Sequence, residues 1–186
     1  DVEEGERVVV GRAPLGAEVE LGEDAVAIHG HFPLQPRDTT LTPGESGLGL
    51  RMFGVLASLH HAPLTLERAG SLLTRNLDGL AEALSAFGVT VTQTAPGEHP
   101  IIQGPLRGGD VSVDAAGSSQ VLTGLLCALA HAEGDSVLNL HGVVSRPYVQ
   151  MTLEVLEDMG MDIEILEEDE DARTLLLRIP GNQRVQ

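Results

Sequence analysis

A seven-residue pattern in this chain returns twice at one fixed spacing, and few folds satisfy that constraint. Leu15-Gly16-Ala17-Glu18-Val19-Glu20-Leu21 recurs as Phe87-Gly88-Val89-Thr90-Val91-Thr92-Gln93 and as Met159-Gly160-Met161-Asp162-Ile163-Glu164-Ile165, so the glycines stand 72 residues apart at 16, 88 and 160. Each copy also closes alike, with Val26-Ala27-Ile28-His29-Gly30, Ile101-Ile102-Gln103-Gly104 and Leu177-Arg178-Ile179-Pro180-Gly181. A glycine after an apolar helical stretch and before alternating residues predicts a helix, a left-handed stop and then a strand. Upstream, Gly54-Val55-Leu56-Ala57-Ser58-Leu59 aligns with Gly124-Leu125-Leu126-Cys127-Ala128-Leu129, and Leu73-Thr74-Arg75 aligns with Val144-Ser145-Arg146. The first copy lacks this upstream half. The expectation is a chain that starts inside a repeat and is a fragment of a longer polypeptide, in keeping with Asp1 in place of an initiator Met.

The repeats divide the 186 residues into a partial copy, 1–39, and two full copies, 40–106 and 107–186, within a single domain. In the third copy 110–114 alternates as a strand, 118–131 reads as an almost wholly apolar helix, and 136–140 reads as a strand. Residues 148–159 then form an amphipathic helix with Val149, Leu153, Leu156 and Met159 on one face, followed by two strands separated by an acidic turn at 167–171. In the second copy Leu77, Leu80, Leu84 and Phe87 keep helical spacing, and the first helix, 48–59, is apolar nearly all round. Helices apolar on every side belong inside. The predicted class is therefore α+β, a three-sided α/β prism of βαβαββ repeats, two complete and one partial, with apolar helices central and sheets outside. Gly11 and Pro14 oppose a regular helix in the first copy. Its missing strand and helix should leave one side open, exposing part of the apolar helices unless a partner covers them.

Composition narrows the chemistry. The core must be aliphatic, because Phe32, Phe53, Phe87 and Tyr148 are the only aromatic residues. Twenty-eight acidic residues against eleven basic ones give a net charge of −17, which argues against a nucleic-acid partner. All eleven basic residues are Arg; such an acidic, lysine-free surface fits a salt-adapted protein, or an ordinary acidic one with an Arg bias. Cys127 stands alone in an apolar run and reads as a buried, inert thiol. No membrane span or signal peptide is legible, so a cytoplasmic location and no membrane partner are expected. Neither His29 with His31 nor the pair His60-His61 has the acidic or Cys company of a metal site, and no metal or cofactor is expected.

Three segments could bind an anion. Gly117-Ser118-Ser119-Gln120 opens the third copy's apolar helix, where free N–H groups, hydroxyls and an amide suit a phosphate; a serine there also reads as an ordinary N-cap. In Ser145-Arg146-Pro147-Tyr148 the two hydroxyls would lie about one helical turn apart, and Thr74-Arg75-Asn76-Leu77 takes the equivalent place in the second copy. An Arg at a helix start is electrostatically awkward unless an anion binds or the side chain is solvated. In Pro43-Gly44-Glu45-Ser46-Gly47-Leu48-Gly49-Leu50-Arg51 glycines permit close approach of a ligand to a helix start.

Together these segments resemble the enolpyruvyl transferases, and among them the EPSP synthases of the shikimate pathway of aromatic amino acid biosynthesis. The stretch from Val113 to Leu126 resembles the family's Ser-Ser-Gln motif with its apolar continuation, and Val144 to Leu153 its Ser-Lys/Arg-Pro-Tyr motif. The resemblance implies that Ser118, Ser119, Gln120, Ser145 and Tyr148 hold shikimate 3-phosphate, and that Gly47, Arg75 and Gln120 face phosphoenolpyruvate. It also implies that the catalytic acid and base, and the Lys-Ser-x-x-x-Arg motif, lie outside this chain, on a missing second domain and a missing half-repeat. No catalytic residue is assigned here, and the fragment is expected to be inactive alone. Two departures stand out: the family's Gly-Asn-x-Gly-Thr is here Gly44-Glu45-Ser46-Gly47-Leu48, and its Arg-Pro is Arg75-Asn76. Glu45 could pair with Arg51 or Arg75. An enolpyruvyl transferase of altered substrate and a non-catalytic binding or assembly module are the alternatives.

Overall fold

The computed structural model describes residues 8–12, 15–22, 24–75, 77–92, 97–117 and 119–185. The strands form three sheets, one from each copy of the repeat. The first copy supplies β1 (Val8–Arg12), β2 (Glu18–Leu21) and β3 (Val26–His29), an antiparallel meander. Gly11 thus sits in a strand, while Pro14 lies outside the described residues. The second copy runs β4 (Thr40–Gly44), α1 (Gly47–Ala57), β5 (Leu64–Arg68), a 3-10 helix (Gly70–Thr74), α2 (Asp78–Ala86), β6 (Thr90–Thr92) and β7 (Ile101–Gln103). The third runs β8 (Asp110–Asp114), α3 (Ser119–His131), β9 (Ser136–His141), α4 (Arg146–Asp158), β10 (Glu164–Asp169) and β11 (Thr174–Ile179).

Within each full copy the first two strands are parallel. Gly44 at the end of β4 faces Arg68 at the end of β5, and Asp114 at the end of β8 faces His141 at the end of β9. A parallel pair needs a crossover that runs back along the sheet. The helices that follow these strands therefore all begin at the sheets' carboxyl edges.

The glycines at 16, 88 and 160 all adopt positive φ, at 104°, 77° and 78°. Behind α2, Gly88 N–H donates to Ser85 O and Val89 N–H to Leu84 O; behind α4, Gly160 N–H donates to Glu157 O and Met161 N–H to Leu156 O. This paired pattern is the Schellman stop, which a left-handed glycine makes accessible. Leu84, Val89, Leu156 and Met161 are all buried in the core.

The core is aliphatic, built on Leu50, Val55, Leu66, Leu84 and Ile102 from one copy and Leu125, Leu126, Leu129, Leu138 and Leu177 from the other. Helix α3 buries eight residues, and Gly124 lets α1 close on it: a Cβ there would stand 3.0 Å from Val55 Cβ and 3.3 Å from Met52 Cα. Helix α1 is less enclosed, with Leu48 and Phe53 about half exposed. Two expectations need correction. The acidic segment continues β10 through Asp169, since Glu167, Glu168 and Asp169 pair with β11, and the turn falls at 170–173. Met159 does not share the buried face of Val149, Leu153 and Leu156, because it is the C-cap beyond the last full turn; it is exposed, as are Tyr148, Met151 and Val155.

The glycines that close the copies differ by context. A Cβ on Gly104 would overlap Ser58 O at the end of α1, and one on Gly181 would overlap Gly134 O just beyond α3; around Gly30, which no helix precedes among the described residues, nothing lies within 4 Å. Gly104→Ala and Gly181→Ala should each cost about 1–3 kcal/mol through forced backbone movement. Gly30→Ala should stay within about 0.5 kcal/mol, as an unconstrained surface change does. Thermal unfolding of the three variants checks this contrast.

Candidate functional site

Helix α1 begins under a serine cap. Ser46 is extended, its Oγ accepts the Gly49 N–H at 3.0 Å, and its carbonyl accepts the Leu50 N–H at 2.9 Å. The amides of Gly47 and Leu48 are left without a partner inside the helix. One turn on, Arg51 Nη1 donates to Gly47 O and to Gln120 Oε1, both at 3.1 Å. Arg75 arrives from the end of the 3-10 helix: a Cβ on Gly47 would stand 3.1 Å from Arg51 Nη1 and 3.3 Å from Arg75 Nη1. Gly47, Arg75 and Gln120 are thus gathered around Arg51. Neither guanidinium makes an ion pair among the described residues. Two neighbouring cations repel one another, and an anion between them would relieve that repulsion.

Glu45 does not supply that anion. Its carboxylate accepts the Ser71 N–H at 3.3 Å and fills the space beside Gly70, where it caps the start of the 3-10 helix. Leu48, the other departure in this turn, projects about half exposed, and Asn76 lies outside the described residues.

The third copy contributes two helix starts. Asp114 Oδ1 accepts the Ala116 N–H at 2.9 Å and turns the chain toward α3, whose first residues, Ser119 and Gln120, are half-buried. Ser118 lies outside the described residues. Ser145 is left-handed, with φ 56° and ψ 43°, and its side chain does not cap α4, although its carbonyl accepts the Tyr148 N–H at 2.9 Å. Holding a serine there costs about 1–3 kcal/mol, and its hydroxyl is not spent on the helix. Tyr148 is 61% exposed. Its turn is joined to α3 by Thr152, whose Oγ1 lies 2.8 Å from Tyr148 O and 3.0 Å from Thr123 Oγ1. Among the described residues no hydrogen bond joins Ser145 or the Tyr148 side chain directly to Ser119 or Gln120.

The equivalent arginines of the two copies have different surroundings. Arg146 forms a close ion pair with Glu168 of β10, and this hydrogen bond raises the guanidinium pKa and holds the Glu168 carboxyl below its ordinary value. Arg75 has no such partner among the described residues. A cavity of about 430 Å³ opens beside Ser145, lined by Arg146, Glu168, Asp169, Glu170 and Arg173 among others. It does not reach Ser119, Gln120 or Tyr148. Three carboxylates against two guanidiniums, one already paired, make it a poorer place for a phosphate than the Gly47 cluster. Cys127 is partly enclosed, and burial pushes its thiol pKa up, away from the reactive thiolate.

Sequence reasoning missed the role of Arg51. The available signal was its place one turn after Gly47, on a helix whose repeat partner carries Gln120 near its own start. Because the folded-state pKa of Glu168 is depressed, its stabilising contribution is present above the ordinary value of 4.5 and is lost as the pH falls through the lower folded value. Glu168→Gln should therefore flatten the acid limb of stability below pH 4.5, as urea titrations at a series of pH values would measure.

Among the described residues no helix is long and apolar enough to cross a membrane, and no group of three or more His, Cys, Asp or Glu side chains could hold a metal ion. Residues 11–184 match the family model for EPSP synthase (3-phosphoshikimate 1-carboxyvinyltransferase). The 3-phosphoshikimate 1-carboxyvinyltransferase of Methanocorpusculum labreanum is 34% identical over 158 residues, 83% of this chain and 37% of that protein. The enzyme of that name from Methanoculleus marisnigri is 38% identical over 160 residues, 83% of this chain and 38% of its own length. The EPSP synthase structure from Acinetobacter baumannii superimposes with a TM-score of 0.72 at 22% identity, covering 92% of this chain and 38% of that one, and shows the same mixed α/β fold. The chain thus spans about two fifths of the length of the relatives it matches. With its family model matched from residue 11 to residue 184, the chain belongs to the EPSP synthase family.

Proposed function

We propose that this chain supplies the shikimate 3-phosphate half-site, and part of the phosphoenolpyruvate site, of a 3-phosphoshikimate 1-carboxyvinyltransferase. The observation that carries the reading is the pair of guanidiniums, Arg51 and Arg75, meeting over Gly47 without an acidic partner among the described residues of a protein whose net charge is −17. Acidic side chains are abundant, so cations left unpaired at a helix start favour an exogenous anion. Gln120 would present its amide to the same anion while Arg51 holds its oxygen. Ser118, Ser119, Ser145 and Tyr148 would receive shikimate 3-phosphate at the adjoining starts of α3 and α4, where the Ser145 hydroxyl is not used as a cap.

In that reaction the 5-hydroxyl oxygen of the shikimate adds to C2 of phosphoenolpyruvate while C3 gains a proton. Loss of phosphate and of a C3 proton then restores the double bond. The step builds charge that must be stabilised more strongly in the transition state than in the substrates. Arg51 and Arg75 supply part of that stabilisation. The proton donor, the base and further cations are assigned to the remainder of the polypeptide, including the half-repeat that would cover the exposed Leu48, Phe53, Met151 and Val155.

Three measurements test the reading. Each charge-assisted hydrogen bond is worth about 1.5–3 kcal/mol, so Arg75→Ala should weaken phosphoenolpyruvate binding roughly tenfold to a hundredfold in calorimetric titrations. Shikimate 3-phosphate should change the fluorescence of Tyr148, the only tyrosine in a chain without tryptophan. No response of Tyr148 or of the α3 and α4 amides to millimolar shikimate 3-phosphate would refute the half-site. The chain alone should release no phosphate from the two substrates together, and should gain turnover when the complementary part of the enzyme is added. Turnover by the chain alone, abolished by Gln120→Ala, would show that the division of the site is wrong.

A further inference from the structure

Arg68, the last residue of β5, is only 2% exposed, and its guanidinium meets no carboxylate among the described residues. Main-chain carbonyls hold it instead. Nη1 donates to Leu72 O and to Arg75 O, each at 3.1 Å, Nη2 donates to Glu98 O, and Nε has no partner. Glu98 thus contributes its carbonyl and not its carboxylate. An apolar side chain could occupy this position without the large cost of desolvating a full charge. The positive fork is therefore a costly feature, and its contacts show where it acts.

Leu72 and Arg75 are the two ends of the turn that closes the 3-10 helix, where the Arg75 N–H donates to Leu72 O at 3.2 Å. One guanidinium nitrogen therefore bridges both carbonyls of the turn that delivers Arg75. Arg75 leaves this turn extended, with φ −79° and ψ 138°, so that its carbonyl meets Arg68 while its own guanidinium stands over Gly47. The amide of Arg68 is itself fixed, donating to His99 Nδ1 at 3.0 Å.

We infer that Arg68 is a positioning residue for the anion site. It locks the turn from Leu72 to Arg75 so that the Arg75 guanidinium stays over Gly47. This rests on the reading of Gly47, Arg51 and Arg75 as the place where phosphoenolpyruvate binds. Lysine cannot replace the fork, because a single ammonium lacks the fixed planar donors that span three carbonyls.

The test is a mutant cycle on the chain as it stands, titrated with phosphoenolpyruvate and followed by amide and guanidinium NMR. Arg68→Gln should weaken binding roughly tenfold, the scale on which groups that orient a ligand-holding residue act. In an Arg75→Ala background the same change should have no effect, since nothing remains to be positioned, and Arg68→Lys should fall between wild type and Arg68→Gln. A loss of equal size in both backgrounds would mark a merely structural role and overturn the proposal, as would unchanged affinity in the presence of Arg75. If Arg68→Gln does not fold, Arg68→Lys carries the cycle alone. Should phosphoenolpyruvate bind none of the proteins, the anion site itself fails. The positioning role is then decided by backbone relaxation of residues 69–75, where unchanged order in Arg68→Lys would overturn it and increased motion would uphold it.

Discussion

Parallel pairing of β4 with β5 and of β8 with β9 is the constraint from which the candidate site follows. A parallel strand can be reached only by crossing back over the sheet, so α1 and α3 each leave the carboxyl end of one strand and return to the start of the next. Their free N–H groups then gather along one edge, together with the starts of the 3-10 helix and of α4. Close packing at Gly124 makes this edge a shared one. Without a side chain there, α1 approaches α3 until Arg51 reaches Gln120.

The cluster also shows how an acidic protein can keep selected cations available. Arg146 is neutralised by Glu168 from its own copy, and Arg107 and Arg178 pair with Glu133 and Glu164 on the surface. Arg51, Arg68 and Arg75 are turned toward carbonyls, an amide and each other. Glu45, the nearest acid in sequence to Gly47, is drawn off by the Ser71 amide. Main-chain carbonyls thus hold Arg51 and Arg68 without cancelling their charge.

Much of this was legible in the chain itself. The glycines at 88 and 160 announced left-handed stops, because an apolar helix that gives way to alternation needs one; Gly16 also has positive φ, although the element described before it is the strand β1 and not a helix. The burial of Leu77, Leu80, Leu84 and Phe87 followed from helical spacing. The extent of β10 did not, because a run of acidic residues resembles a turn until a neighbouring strand is seen to pair with it. Of the residues gathered around Gly47, Arg75 and Gln120 could be named from motif resemblance, but Arg51 and Arg68 are held by carbonyl and amide contacts that sequence spacing does not display. The left-handed Ser145 was likewise hidden, since serine carries no signature for that conformation.

The hydrogen bond between Arg51 and Gln120 spans 69 residues and joins two copies of the repeat. The two arginines meet over Gly47 within one copy, but Gln120 joins them only when α1 docks on α3. Local elements can fold early, but contacts this distant in sequence wait for the chain between them to be ordered. An anion bound there would act as a bolt across the seam, favouring the docked arrangement by mass action. Occupancy of the site would then report the completion of folding as well as the presence of a ligand.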